Sequence, residues 1–148
     1  MTAQDTSFTD TQKVGPEMQL VLACARKTLN PEDTKRIFGL CHDSLDWSLF
    51  LRLVNRHRVM PLVWQSLKRI DNPSIPNNTK EVLSNSAKKD LFTAFEQAAE
   101  LTRLIKCLEG DEIRVLSLKG PILAMQAYGT LKLRHTGDLD LLVEPADL

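Results

Sequence analysis

Apolar positions recur at helical spacing through the first two thirds of the chain and switch to a period of two only after Gly110. Leu20, Val21, Cys24 and Leu29 make a modest stripe over Glu17 to Leu29, ended by Asn30-Pro31. Asn30 then suits an N-cap, with Pro31 at the first helical position and Asp33 at the third, which predicts a helix over Glu32 to Leu40. Trp47, Phe50, Leu51 and Val54 fall at i, i+3, i+4 and i+7 behind Asp43, Ser44 or Asp46 as caps. A fourth helix starts near Pro61 and shows Val63, Trp64, Leu67 and Ile70 on one face, and the run Asp71 to Pro76 reads as a turn-rich linker.

A long helix follows from about Asn78 to Glu109, stopped by Gly110. Its apolar positions Ala87, Leu91, Ala94, Phe95, Ala98, Leu101, Ile105 and Leu108 form a near-heptad series. The series is read as a seam packing on the earlier helices, because several of its positions are alanine and permit close approach. A coiled-coil dimer is the alternative.

Beyond Gly110, Ile113 to Leu118 reads as a strand that runs into Lys119-Gly120-Pro121, a glycine turn with proline in the first turn of a short helix. Tyr128-Gly129 closes that helix with a residue suited to positive φ. A polar loop carrying Lys132, Arg134 and His135 leads to Gly137-Asp138-Leu139-Asp140-Leu141-Leu142-Val143. Alternation there places Asp138 and Asp140 on one face and Leu139 and Leu141 on the other. The fold class expected is α+β: a tail over residues 1–16, a helical bundle over 17–109, and a strand-bearing unit over 110–148.

Two carboxylates about 6.5 to 7 Å apart at their Cβ atoms repel one another on an otherwise apolar strand and need a compensating charge. A divalent cation supplies it: Mg²⁺, or Mn²⁺, takes hard oxygen ligands, commonly one or two carboxylates completed by substrate phosphates. The strand, glycine turn and helix N-terminus supply backbone N–H groups and a positive dipole end for phosphate.

The order of strand, Lys-Gly, short helix, Tyr-Gly, Arg and Gly-Asp-Leu-Asp-Leu-Leu-Val resembles the uncharacterised nucleotidyltransferase family within the polymerase-β-like superfamily. The resemblance extends upstream to Asp46-Trp47 and to Arg56-His57-Arg58-Val59-Met60-Pro61-Leu62. It implies a polymerase-β-like (palm) unit in which Asp138 and Asp140 bind the metals. Lys119, Gly120 and Arg134 would contact a nucleoside triphosphate, and the product is a nucleoside monophosphate transferred to an unknown acceptor. Two departures stand out. The superfamily usually has Gly-Ser at the turn, where this chain has Lys119-Gly120. Its third carboxylate comes from a later strand, whereas Glu144 and Asp147 follow Val143 too closely to lie on one. On that reading residues 110–148 are part of a nucleotidyltransferase domain. A non-catalytic helical interaction or scaffold module with a remnant metal site is the alternative, and the uncovered sheet edge or the long helix is expected to favour a homodimer unless the helical part covers it.

Composition narrows the partners. Lys plus Arg equals Asp plus Glu at 19 each, so the overall field gives no support for broad binding to nucleic acid or anionic membrane. Cys24, Cys41 and Cys107 lack metal-site spacing and, read as buried thiols, fit a reducing compartment, hence a cytoplasmic location. No apolar run approaches the roughly 20 residues that cross a membrane. Asp-x-Asp alone is a weak signal, and the turn and helix before it strengthen it. Several single residues keep ordinary readings. Lys119 can simply end a strand in solvent, and Arg134 can pair structurally with Asp138. His135 reads as an exposed loop residue, His57 as a solvated helix end rather than a nucleic-acid contact, and Trp47, Trp64 and Tyr128 as core.

Overall fold

The computed structural model describes residues 14–147, and side chains as far as Glu144–Ala146. The expected tail lies mostly outside those residues, and helix α1 (Pro16–Cys24) already includes Pro16. Four short helices make the bundle: α1, α2 (Pro31–Leu40), α3 (Trp47–Arg56) and α4 (Met60–Leu67). Their starts follow the local chemistry. At α2 the Asn30 side chain accepts from the Asp33 N–H at 2.7 Å while Asp33 accepts from the Asn30 N–H, a complete capping box. At α3 Asp46 accepts from the Leu49 N–H at 2.8 Å. The bundle's core holds Leu20, Ile37, Phe50, Val54, Val63, Leu67 and Ile75, all essentially without solvent contact. Trp47 packs edge-on against Phe50, with ring centroids 5.5 Å apart.

Two expectations need correction, and a third holds with an addition. Helix α1 ends at Cys24, five residues before Leu29, and side chains of α4 satisfy carbonyls at and past that end: Ser66 donates to the Cys24 carbonyl and Gln65 to that of Lys27. Ile70 is buried but lies past the end of α4. The Asp71 to Pro76 run is an anchored turn, since buried Asn72 donates from Nδ2 to the Phe38 and Cys41 carbonyls and accepts from the Ser74 N–H.

Helix α5 (Asn77–Gly110) is 34 residues, about 51 Å of helix at 1.5 Å per residue. It packs on α3 and α4 at one end and on the strand-bearing unit at the other. Its seam faces inward at Leu83, Ala94 and Leu101, as the alanine content suggested. Phe95, assigned to that seam, is instead 56% exposed beside Phe92. Gly110 is the helix's last residue, and it does not take the left-handed conformation. Glu112 does, at φ 62°, within a closure in which Ile113 donates to the Leu108 carbonyl and Glu112 to that of Glu109.

After α5 come β1 (Val115–Ser117), α6 (Gly120–Tyr128), a 3₁₀ turn (Leu131–Leu133) and β2 (Leu141–Val143). The strands pair antiparallel with Val115 opposite Val143 and Ser117 opposite Leu141. Both are shorter than the alternation implied, three residues each, and Asp138 and Asp140 precede β2. The ladder nevertheless continues to Asp140, whose carbonyl accepts from the Leu118 N–H at 3.0 Å. Leu133 is buried among α4, α5 and α6, so the loop expected to be polar contributes to packing. Lys27 adds a tie from the bundle, donating to the Ala127 carbonyl at the end of α6. The described residues thus form six helices and a two-stranded sheet, a mostly helical α+β arrangement.

Candidate functional site

Gly120 is the pivot of the site. It sits at φ +63°, a conformation that side-chain-bearing residues rarely adopt, at the junction of β1 and α6. A Cβ there would stand 3.2 Å from the Asp138 carbonyl oxygen and 3.4 Å from the Leu139 side chain. The glycine therefore lets the aspartate segment close onto the turn. Gly120 and Pro121 are buried; Pro121 brings no N–H to the first turn of α6, and the other N–H groups there, as at any helix start, have no intrahelical partner and no side-chain cap.

Lys119, the N-cap residue of α6, projects from the turn and places Nζ 2.9 Å from Asp140 Oδ2. The lysine side chain is 60% exposed and the aspartate side chain 35%. Oδ2 itself is shielded from solvent, and apart from this ion pair it has no hydrogen-bond partner among the described residues. The neighbouring carboxylates hold the Lys119 ammonium above the usual lysine range, Asp140 chiefly and Asp138 less, while the charge of Arg134 opposes them. Lys119, Asp138, Asp140 and Arg134 therefore share one electrostatic neighbourhood.

Arg134 is half-buried and donates from Nη1 to the Gly120 carbonyl at 3.4 Å. No carboxylate lies within ion-pair distance of it among the described residues, which replaces the expected alternative of a pair with Asp138. Asp138 is exposed. Glu144 pairs with Arg114 at 3.4 Å, at the far end of the two strands.

The segment between Arg134 and Asp138 is held from behind. His135, expected in solvent, is half-buried with Nδ1 2.9 Å from Asp90 Oδ1 on α5. Those two residues line a cavity of about 190 Å³ with Asn55, Arg58, Met60 and Ser86. Arg58, at φ 55°, closes α3 in the position that glycine usually fills, and its Nη1 lies 3.9 Å from where a Cβ on Gly137 would be. Neither Asp90 nor Arg58 carries a sequence signal for this proximity, since each meets the segment only through tertiary packing. His57 is exposed at the end of α3, as read. Trp64 and Tyr128 are half-buried.

Among the described residues no three metal-ligating side chains converge. The pair Asp138 and Asp140, with one shielded oxygen lacking a good donor, still fits a cation that completes its shell with phosphate oxygens. Residues 43–148, most of the chain, match the family model described as uncharacterised nucleotidyltransferase. The chain belongs to that family. No curated protein and no solved structure matches it. Family membership supports nucleotidyl transfer as the general activity, and the matched span covers the bundle from Asp43 onward together with every residue of the site.

Proposed function

We propose that this family member transfers a nucleoside monophosphate from a nucleoside triphosphate to an acceptor, on a polymerase-β-like unit that includes residues 110–148. The observation that carries the reading is the convergence of the turn and the acidic segment, with Gly120 against the Asp138 backbone and Lys119 against Asp140. Asp138 and Asp140 would hold Mg²⁺ or Mn²⁺, and the metal, when bound, supplies charge neutralisation at the phosphates and polarises the reacting oxygens. The remaining work falls to the chain itself. The Lys119 ammonium and the Arg134 guanidinium offset charge on the β- and γ-phosphates, which grows on the leaving pyrophosphate. The N–H groups at the start of α6 orient the phosphates. An acceptor atom bonds to the α-phosphorus and gives up its proton to water, the α–β bridging P–O bond breaks, and its electron pair leaves with pyrophosphate. Two buried thiols and a balanced net charge support action in the reducing cytoplasm on a soluble nucleotide.

The test is calorimetric titration of Mg²⁺ with ATP, GTP, CTP or UTP into the chain and into an Asp138→Asn, Asp140→Asn double variant. Metal-dependent binding of at least one triphosphate, lost in the double variant, is expected. Binding that ignores metal and survives both substitutions would reject the site.

A further inference from the structure

Lys119 stands where a cation's charge is needed before any metal arrives. Its Nζ lies against the shielded oxygen of Asp140, and that oxygen has no good hydrogen-bond donor to fall back on when the lysine leaves. The side chain is more than half exposed on a flexible four-carbon stem, so its ammonium is free to swing while its backbone stays fixed at the start of α6. Arg134 is not a ready substitute at Asp140, because no carboxylate lies within ion-pair distance of its guanidinium among the described residues. The four charged side chains here, two carboxylates and two cations, already cancel.

We infer that Lys119 is an internal counter-ion that competes with a lone divalent cation for Asp140 and is transferred to the triphosphate when metal and nucleotide bind together. The inference rests on the metal-site reading above and adds a consequence to it. A free dication must displace the ammonium into water and gains little from a neutral site. A metal–triphosphate complex offers the displaced ammonium a phosphate partner, so one residue couples the two ligands. By linkage, the factor by which triphosphate tightens metal binding equals the factor by which metal tightens triphosphate binding. Removing Lys119 should shrink both together.

The experiment compares the chain with K119M, which keeps the apolar stem, and K119R, which keeps the charge, after circular dichroism has shown that each is folded. Mn²⁺ binding is read by electron paramagnetic resonance with and without ATP, and ATP binding by calorimetry with and without Mn²⁺. K119M is expected to bind Mn²⁺ alone roughly three- to tenfold more tightly, the scale of one removed neighbouring charge. It should bind ATP with Mn²⁺ roughly tenfold more weakly, so that the coupling collapses, and K119R should stay close to the parent on both measurements. If the parent chain binds ATP with Mn²⁺ but K119M binds Mn²⁺ no more tightly, or loses no ATP affinity, the transfer of Lys119 is wrong while the metal site stands. A parent chain with no metal-dependent binding of ATP, GTP, CTP or UTP overturns both.

Discussion

The carbonyl oxygen of Asp138 approaches the α-hydrogen side of Gly120 so closely that a methyl group there would stand 3.2 Å away. The two residues are 18 positions apart, and their contact joins the turn that opens α6 to the segment that carries both carboxylates. Gly129, which closes α6 at φ +70°, has a similar backbone and nothing within 4 Å of its would-be Cβ.

That contrast separates two costs of the same substitution. Gly129→Ala should lose only the left-handed penalty, about 1–2 kcal/mol. Gly120→Ala should lose that and also push the Asp138 backbone away, for a total of about 2–4 kcal/mol once overpacking is included. Urea unfolding of the two variants measures the difference. Metal-dependent triphosphate binding should fall in Gly120→Ala well beyond Gly129→Ala. Equal losses in both variants would mean that the Gly120–Asp138 contact has no influence on the site.

Elements set by local chemistry were legible in the sequence, and those set by partners were not. Asn30, Pro31 and Asp33 announce the start of α2 within a residue, because a capping box needs only its own four residues. Lys119-Gly120-Pro121 and Tyr128-Gly129 likewise bracket α6. The end of α1 is not marked locally: Ser66 and Gln65, some 40 residues away, hold the carbonyls of Cys24, its last residue, and of Lys27, just past it. Gly110 drew the end of α5 by composition, yet Glu112 takes the left-handed position. At the site, the Asp138 and Asp140 spacing and the Lys-Gly turn were visible as motifs. The engagement of Arg134 with a backbone carbonyl and of His135 with Asp90 depends on how α5 crosses behind the loop, which no local pattern encodes.

The cysteines make a second test, because the expectation of buried thiols holds for two of the three. Cys24 and Cys41 are buried and Cys107 is exposed on α5. Burial raises the Cys24 thiol far above the ordinary range, with the nearby Cys41 adding to the shift, and pushes Cys41 up to about 11. At pH 8, a thiol reagent should modify Cys107 promptly and the other two only as the fold opens. The sign of the pH effect follows from the raised values. The folded state keeps these two protons where the unfolded chain releases them, above about pH 9, so stability is at its full value below that pH and declines as pH rises toward 11. Urea midpoints at pH 7.5 and pH 10, compared with those of a Cys24→Ala, Cys41→Ala variant, check it. The variant should show the smaller decline, and an equal decline in both would assign the pH dependence to other groups.

The last prediction concerns the pair behind the acidic segment, Asp90 and His135, joined at 2.9 Å between a long helix and a loop. His135 lies between Arg134, which reaches the Gly120 carbonyl, and Asp138, so the pair sets the path of the backbone that presents both. It is only partly buried, with side-chain exposures of 35% for the histidine and 16% for the aspartate, which limits its energetic weight. Asp90→Ala and His135→Ala should each destabilise the fold by about 1 kcal/mol, with a double-mutant coupling of about 0.5–1 kcal/mol. The functional effect should be larger than the structural one. Neither residue belongs to the phosphate-facing group, so a positioning role predicts weaker metal-dependent triphosphate binding, by several-fold, in either single variant and little further loss in the double. A merely structural role predicts unfolding midpoints that shift while affinity at temperatures well below the transition stays at the parent value. Calorimetry with Mg²⁺ and the triphosphate that binds the parent chain, run on all four members of the cycle, tells the two apart. Independent, additive affinity losses in the two single variants would show that Asp90 and His135 do not act through their mutual contact.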